Sequence, residues 1–297
     1  MRAVRIFQVD AFTDTPFTGN PAGVVLDADV LDETEMQAIA RELNNGDTAF
    51  VLPPDAAGED LRVRFFTPRK EAPFVGHATL AAHAVMQRID PKPVRRQGGK
   101  TGTVEVQVLA DGRLSIRQAA PPLGRVLTEV ELHDVLALLE LKREQLDRAC
   151  PARIVGAAST RLLLGLQQPA MLDEVRPNLP ALAQLSPRLG AQGYFLFARH
   201  SDGTVPGTQS RMFCPALGID EDPVSGNAHA MLGVYLRELG LLPAEQRAAR
   251  FIGLQGRHVG RPGRVDVEVE LAADGRAVAA TISGKAVVVF ETVLTLA

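Results

Sequence analysis

The sequence contains one motif twice, and this repeat constrains the fold more than any other feature. Residues 64–68 (RFFTP) and 73–78 (PFVGHA) return as residues 211–215 (RMFCP) and 223–228 (PVSGNA). The first parts are offset by 147 positions (211 − 64) and the second by 150 (223 − 73), so the later copy is longer by three residues. The longer connection is acidic (DED at 220–222). A duplicated strand–loop–helix predicts two similar half-domains that face each other across a site.

Two further segments repeat in the same order, which supports duplication over chance. Residues 44–50 align with 191–197 at the same offset of 147, and this alignment sets Asp47 opposite Tyr194. A strand with a DGR turn occurs after residue 104 and again after residue 267. Hairpins resemble one another, so this last match alone carries little weight.

The hydrophobic pattern predicts an α+β fold of two domains related by pseudo-twofold symmetry. Each would be a mainly antiparallel sheet around one long central helix, because apolar residues recur at helical spacing after Gly76 and after Gly226. Further helices are predicted after the capping box of Asp32 and Glu35, and over residues 129–139 and 142–148. The Pro-Pro pair at 121–122 suggests half-domains 1–120 and 121–297, with the C-terminal strand able to pack back onto the first.

Composition excludes several classes of protein. A length of 297 residues fits two domains, and 46% hydrophobic with 23% charged residues is typical of a globular protein. A net charge of −3 gives no signature of nucleic-acid binding. No run is long enough to cross a membrane and the N-terminus reads as a strand, so we expect a cytoplasmic protein. The two cysteines, Cys150 and Cys214, are expected to be buried thiols, with no metal site.

The two predicted helix starts are candidate anion sites. The first backbone N–H groups of a helix are unpaired, and its dipole favours a carboxylate or phosphate there. Gly76 and Gly226 would let the backbone approach a ligand. Equally, a Gly-x-Ala sequence can simply open a tightly packed helix.

Two side chains near these starts could carry chemistry. His77, in a first helical turn, is expected to be neutral and to hydrogen-bond or to move protons, although an ordinary structural histidine fits the spacing as well. Asp222 precedes the second helix, but it could belong to a plain solvated acidic run. No dinucleotide, phosphate-loop or serine-hydrolase motif is present, so no cofactor is implied and the chemistry narrows to proton transfer.

From end to end the chain resembles the phenazine-biosynthesis PhzF-like family. The segments that carry the resemblance are 9–13 (VDAFT), 16–17 (PF), 19–20 (GN), 22–24 (AGV), 39–43 (IAREL), 67–68 (TP), 76–79 (GHAT), 221–227 (EDPVSGN) and 282–284 (ISG). The resemblance implies the diaminopimelate-epimerase-like fold, with the active site enclosed between two similar domains, and a homodimer. The family's characterised reaction is a cofactor-free isomerisation of a dihydro-hydroxyanthranilate, in which a carboxylate moves a proton between ring carbons.

The resemblance also implies roles for particular residues. The general acid/base falls on Asp47, where the family usually has glutamate, and His77 and Asp222 match the supporting histidine and aspartate. The residues implied to bind the substrate carboxylate are Gly76, Gly226, Asn227 and Ser225. The cysteines of related racemases have no counterpart in the two glycine loops, which argues against a two-thiol mechanism.

These observations predict a cofactor-independent isomerase that moves a proton on a small carboxylate-bearing substrate, such as a cyclic amino or hydroxy acid. The alternative is a weak or inactive carboxylate-binding protein on the same fold, which the change from glutamate to Asp47 would favour. A structural protein is a third possibility.

Overall fold

The structure is a computed structural model that describes residues 2–201 and 205–296, and it separates into two compact units. Unit 1 comprises Met1–Arg117 together with Ser283–Ala297, and unit 2 comprises Gln118–Ile282. Both combine helices with a mixed sheet, so the predicted α+β class is confirmed.

Unit 1 is built on a sheet with the strand order β19-β1-β2-β3-β4-β6-β7-β8, in which β2–β3 and β4–β6 are parallel and the other pairs of neighbours are antiparallel. The last strand of the chain lies at its edge, paired with β1. The elements of unit 1 are β1 Arg2–Ala11, β2 Asn20–Leu26, α1 Glu33–Leu43, β3 Asp47–Leu52, β4 Leu61–Phe66, β5 Glu71–Ala72, α2 Gly76–Ile89, β6 Val94–Gly98, β7 Val104–Val108, β8 Leu114–Ala119 and β19 Ala286–Leu296.

Alternating side chains divide the core of unit 1 between the two faces of this sheet. Phe65 and its neighbours on one face pack against the apolar stripe of α2, whereas Phe66 and its neighbours pack against α1. This is the period-2 pattern of a strand buried on both faces. The predicted capping box of Asp32 and Glu35 starts α1, so that prediction is confirmed.

Unit 2 has the strand order β9-β10-β11-β12-β13-β16-β17, with β11–β12 and β13–β16 parallel. Helices α3 and α4 cover one face, and α5 packs against β16 and β17. The elements of unit 2 are β9 Leu123–Val126, α3 Glu129–Leu139, β10 Arg153–Val155, β11 Arg161–Leu166, α4 Leu179–Leu189, β12 Tyr194–Ser201, β13 Pro206–Cys214, β14 Ile219–Asp222, α5 Gly226–Glu238, β15 Ala244–Glu245, β16 Ala248–Gln255 and β17 Gly263–Leu271. Strand β18 Ala277–Gly284 begins in unit 2, and its last two residues belong to unit 1.

The two helices predicted at the start of the second half have different outcomes. The helix over 129–139 is confirmed as α3. The helix over 142–148 is wrong, because only a short 3₁₀ turn forms at Arg143–Gln145. The backbone N–H of Asp147 donates instead to Gly165 O, and Leu146 forms a bridge with Leu166. Pairing with β11 therefore uses backbone groups that would otherwise have formed hydrogen bonds within a helix.

Candidate active site

In unit 1 the first residue of β3 is Asp47, and the turn that precedes it is fixed by hydrogen bonds. Asn44 ends α1 in the left-handed conformation, with φ 51°. The amides of Gln8 and Asn45 donate to each other, at 3.1 and 2.8 Å. Asp47 itself is 8% exposed, so its carboxylate has a defined place at the end of the sheet.

The N-terminus of α2 has no side-chain cap. The helix begins at Gly76, and the preceding Val75 offers only its carbonyl, which accepts from the backbone N–H and the hydroxyl of Thr79. The N–H groups of the first turn point away from the helix, as at every helix start. With no cap to occupy them, they are available to an anionic ligand.

His77 lies beside Asp47. The distance from His77 Nε2 to Asp47 Oδ2 is 3.7 Å, which is longer than a hydrogen bond, and the two side chains are 11% and 12% exposed. Burial lowers the pKa of His77 to about 4, so the imidazole is neutral at pH 7. Its Nε2 is buried and has no hydrogen-bond partner among the described residues. The structure thus brings together Gly76, His77 and Asp47, three of the candidate site residues.

The N-terminus of α5 in unit 2 is held differently. Ser225 caps it, since its Oγ accepts from Ala228 N at 3.3 Å. Gln255 braces the loop: its Oε1 accepts from Ser225 N, and its Nε2 donates to the carbonyl of Asp222 at 2.6 Å. The structure therefore places Ser225, predicted to bind substrate, as a helix cap. Gln255 was missed because nothing local marks a residue thirty positions away.

The other predicted residues of unit 2 lie close to this cap. Asp222 ends β14, in register with Met212, and Gly226 is the first residue of α5. Asn227 Oδ1 accepts from Gln118 Nε2 at 3.4 Å. Asp222, Ser225, Gly226 and Asn227 therefore form one continuous segment.

Two histidines outside the repeat positions have structural roles. His229 Nδ1 donates to Ser225 O at 2.7 Å, and its ring meets Phe195 edge-on. His83 is hydrogen-bonded to Gln97 at 2.9 Å. Burial lowers the pKa of both to about 4.

An arginine–glutamate pair precedes each helix start, and neither pair was predicted from the sequence. Arg64 binds Glu71 through two nitrogens, at 2.8 and 2.9 Å, and Arg211 binds Glu221 likewise, at 2.9 and 2.8 Å. The acidic run is therefore not simply solvated. The sequence does contain a feature that could have indicated these pairs, because both arginines occupy the first position of the repeated motif.

Strand register corrects the alignment of Asp47 with Tyr194. Thr48 pairs with Phe66, and Tyr194 pairs with Phe213, the repeat counterpart of Phe66. The position that matches Asp47 is thus Gly193. Tyr194 is buried and donates its hydroxyl to the carbonyl of Leu182.

The cysteines are free and buried, as predicted. Burial raises the pKa of Cys214 to about 11, so this thiol is protonated at neutral pH. Within the described ranges no group of histidine, cysteine or acidic side chains is arranged to hold a metal ion. Across the same residues, no helix combines the length and apolar character that a membrane span requires.

Comparison with known proteins assigns the chain to a family. The model of the phenazine biosynthesis-like proteins, PhzC-PhzF, matches residues 9–292. The chain belongs to this family. The resemblance of its motifs to PhzF-like proteins is therefore confirmed.

Relatives and solved structures agree with this assignment. An uncharacterized isomerase of Clostridium acetobutylicum is 37% identical over 302 residues, covering 100% of this chain and 99% of the relative. The trans-2,3-dihydro-3-hydroxyanthranilate isomerase of Pseudomonas aeruginosa is 32% identical, covering 94% and 95%. The crystal structure of a PhzF-family protein of Bacillus anthracis superposes with a TM-score of 0.87 at 27% identity and covers all of both chains. The chain is accordingly a PhzF-like isomerase.

Proposed function

We propose that this PhzF-family protein is a cofactor-independent isomerase that moves a proton on a small carboxylate-bearing substrate, such as a cyclic amino or hydroxy acid. One observation carries the proposal: Asp47 and a neutral His77 lie 3.7 Å apart beside the uncapped start of α2. That arrangement offers an acid/base group, a hydrogen-bonding group and backbone donors for an anion in one place.

Asp47 is the proposed general acid/base. Its carboxylate takes a proton from a substrate carbon, and the electron pair of that C–H bond moves into the adjoining conjugated system as the Asp47 O–H bond forms. Protonated Asp47 then returns the proton to another carbon of the conjugated system on the same face of the substrate, and the O–H bond of Asp47 breaks as the new C–H bond forms. Substrate and product have the same formula, so the reaction needs no oxidant, reductant or second reactant.

His77 positions the substrate and Asp47 in this scheme. A neutral imidazole can donate or accept a hydrogen bond without adding a charge to the site. The buried Nε2 can hydrogen-bond to a polar group of the substrate. The substrate carboxylate would lie on the N–H groups of Gly76 and His77, where the helix dipole favours negative charge.

We further propose that unit 2 contributes to the same site through Asp222, Ser225, Gly226 and Asn227. The repeated sequence and the family resemblance support this proposal, together with a pseudo-twofold relation between half-domains 1–120 and 121–297. Asp222 would tune Asp47 or a substrate group, and the start of α5 would help to bind the carboxylate. A homodimer is proposed on the same resemblance.

The short side chain of Asp47 is relevant to the substrate. An aspartate carboxylate lies roughly 1–1.5 Å nearer its backbone than a glutamate carboxylate, about the length of one C–C bond. A misplacement of about 1 Å can cost on the order of a hundredfold in rate. We therefore propose a substrate that is bulkier, or differently placed, than the one used by family members with glutamate.

The test is incorporation of solvent deuterium into a set of cyclic amino and hydroxy acids. The wild type should exchange at least one of them, and D47N should lose most of that exchange. The matched control is D29N, which removes an exposed carboxylate from a turn of the same unit. If D47N exchanges like the control, Asp47 is not the base. Saturable binding without exchange would instead favour an inactive carboxylate-binding protein.

A further inference from the structure

Unit 2 contains a buried arginine that forms no salt bridge with any acidic side chain of the described residues. Three arginines are buried among the described residues: Arg95, Arg161 and Arg211. Arg95 pairs with Asp90 at 3.2 Å, and Arg211 pairs with Glu221 at 2.8 Å. Arg161 has no carboxylate partner in the described part of the chain, although only 8% of its surface is exposed.

The hydrogen bonds of Arg161 are few for a guanidinium with five N–H donors. Nη1 donates to Ser159 Oγ at 3.1 Å and to the carbonyl of Thr160 at 2.9 Å, and both acceptors are neutral. Nε is buried without a partner among the described residues. A buried charge left unpaired is costly, and such a group calls for an occupant outside the protein chain.

The position of Arg161 in the sheet of unit 2 can be compared with the surroundings of Asp47 in unit 1. In unit 1 the parallel pair β2–β3 sets Asp47 opposite Ala22. In unit 2 the parallel pair β11–β12 sets Leu162 opposite Tyr194, so the preceding residues Arg161 and Gly193 are also opposite one another. Gly193 therefore matches Asp47, and Arg161 matches Ala22, the residue opposite Asp47 on the neighbouring strand.

The packing around Gly193 leaves room for the side chain of Arg161. A Cβ added at Gly193 would lie 2.9 Å from Arg161 Cδ and 2.5 Å from Cys214 Sγ, so no larger residue fits beneath the side chain. Arg161 and Asp222 both act electrostatically on the Cys214 thiol, in opposite directions. The arginine therefore lies in the part of unit 2 that also contains a predicted site residue.

We propose that Arg161 binds a second carboxylate of the substrate, which makes the substrate class a dicarboxylic acid. This inference rests on the proposed function in taking the ligand to be a small carboxylic acid. The planar guanidinium matches a carboxylate through two parallel hydrogen bonds. The bound carboxylate would supply the negative charge that pairs with the guanidinium of Arg161.

Binding of two four-carbon acids tests the proposal directly. At constant ionic strength, titration calorimetry of the wild type should show succinate binding roughly ten- to a hundredfold more tightly than butyrate, as expected for one charged hydrogen-bonded pair. In R161Q the ratio should fall to near one. The matched control is R153Q, which removes a partly exposed arginine from neighbouring β10 and should keep the wild-type ratio.

A second measurement separates ligand binding from a structural role. R161M, without ligand, should melt at the wild-type temperature or above it, because it removes an uncompensated charge, while the stabilisation by succinate is lost. A ratio near one in the wild type, an unchanged ratio in R161Q, or a melting temperature of R161M several degrees below wild type would each overturn the proposal. If D47N abolishes exchange and R161Q still prefers succinate, this inference fails alone. If no acid exchanges but the preference depends on Arg161, the proposed function fails and the inference stands.

Discussion

The two helix starts of this protein, at α2 and α5, share the preceding strand and its ion pair but differ in the side chains around the first helical turn. Each follows a strand that begins its motif with arginine, and each arginine binds a glutamate just before the helix. At α2 the cap is absent and a neutral histidine lies beside Asp47. At α5 a serine caps the helix, a glutamine braces it and glycine replaces the acid.

This difference shows that the repeated strand–helix unit with its ion pair can carry different polar groups at its helix start. The arginine–glutamate pair and the strand register that precede the helix are common to both units. In the proposed function the acid/base group belongs to unit 1, whereas the described part of unit 2 has a capped and braced helix start and a buried arginine without a carboxylate partner. The predictions below perturb matching positions in the two units.

The largest effect on stability is expected from the arginine pairs. R211Q should lower the free energy of unfolding by about 3–5 kcal/mol, because it removes a buried arginine and leaves the partly buried Glu221 unpaired. R64Q should cost less, about 1–3 kcal/mol, since Lys100 also binds Glu71. Urea denaturation of both variants measures this difference. Equal losses would show that the two pairs are energetically alike.

Acid should destabilise the protein through its buried histidines. The folded pKa of His77, His83 and His229 is about 4, below the ordinary 6.5, so each contributes stability above pH 6.5 that is lost as the pH falls towards 4. The shift corresponds to about 3 kcal/mol for each residue.

Unit 1 should be the more acid-sensitive, since it holds two of these histidines, and the pKa of Glu71 there is held at about 2 by Arg64. Glu71 contributes stability above its ordinary pKa of 4.5, which is lost as the pH falls towards 2. Hydrogen exchange at pH 7, 5.5 and 4.5 should show amides of β1–β4 opening before those of β11–β13. The reverse order would contradict the assignment of the histidine charges.

Replacing the first polar side chain of each helix should affect different kinetic constants. H77N should lower kcat by roughly ten- to a hundredfold, because His77 lies beside the acid/base group. N227A should mainly raise KM, because unit 2 has Gly193 at the position that matches Asp47 and therefore has no acid beside this helix start. Steady-state kinetics on any substrate found by deuterium exchange checks both. A loss of kcat in N227A with unchanged H77N would reverse the proposed roles of the units.

The smallest effect is expected at the helix cap. S225A should cost about 1 kcal/mol of stability, because Ala228 N loses its acceptor. V75A at the uncapped start of α2 removes no cap and is the matched comparison. Thermal melts of both should separate the loss of the cap from the loss of apolar contact; a fully stable S225A would show that Gln255 alone holds the loop.

Local patterns were sufficient to predict much of the fold. The capping box at Asp32, the helix Glu129–Leu139 and both glycine helix starts follow from neighbouring residues, and the structure has them. The segment after Lys142 looked equally helical, but pairing with β11 takes its backbone groups. A prediction from spacing cannot include a hydrogen bond to a strand twenty residues away.

The site was less predictable for the same physical reason. Its glycines and His77 have a local signature, but Asp47 gained a role only from the family resemblance. The bond of Gln255 to the α5 loop and the burial of Arg161 over Gly193 depend on strand register. A shift of one residue in the alignment was enough to exchange Gly193 for Tyr194 as the counterpart of Asp47.

The central claim is that unit 1 holds the reactive group, with the ligand's carboxylate at the start of α2. A crystal structure of the protein with a slowly exchanging acid bound tests it most directly. We predict a carboxylate oxygen about 3 Å from the backbone nitrogens of Gly76 and His77, and a hydrogen-bearing carbon about 3–3.5 Å from an Asp47 carboxylate oxygen. A ligand bound with no carbon within reach of Asp47 would contradict the account.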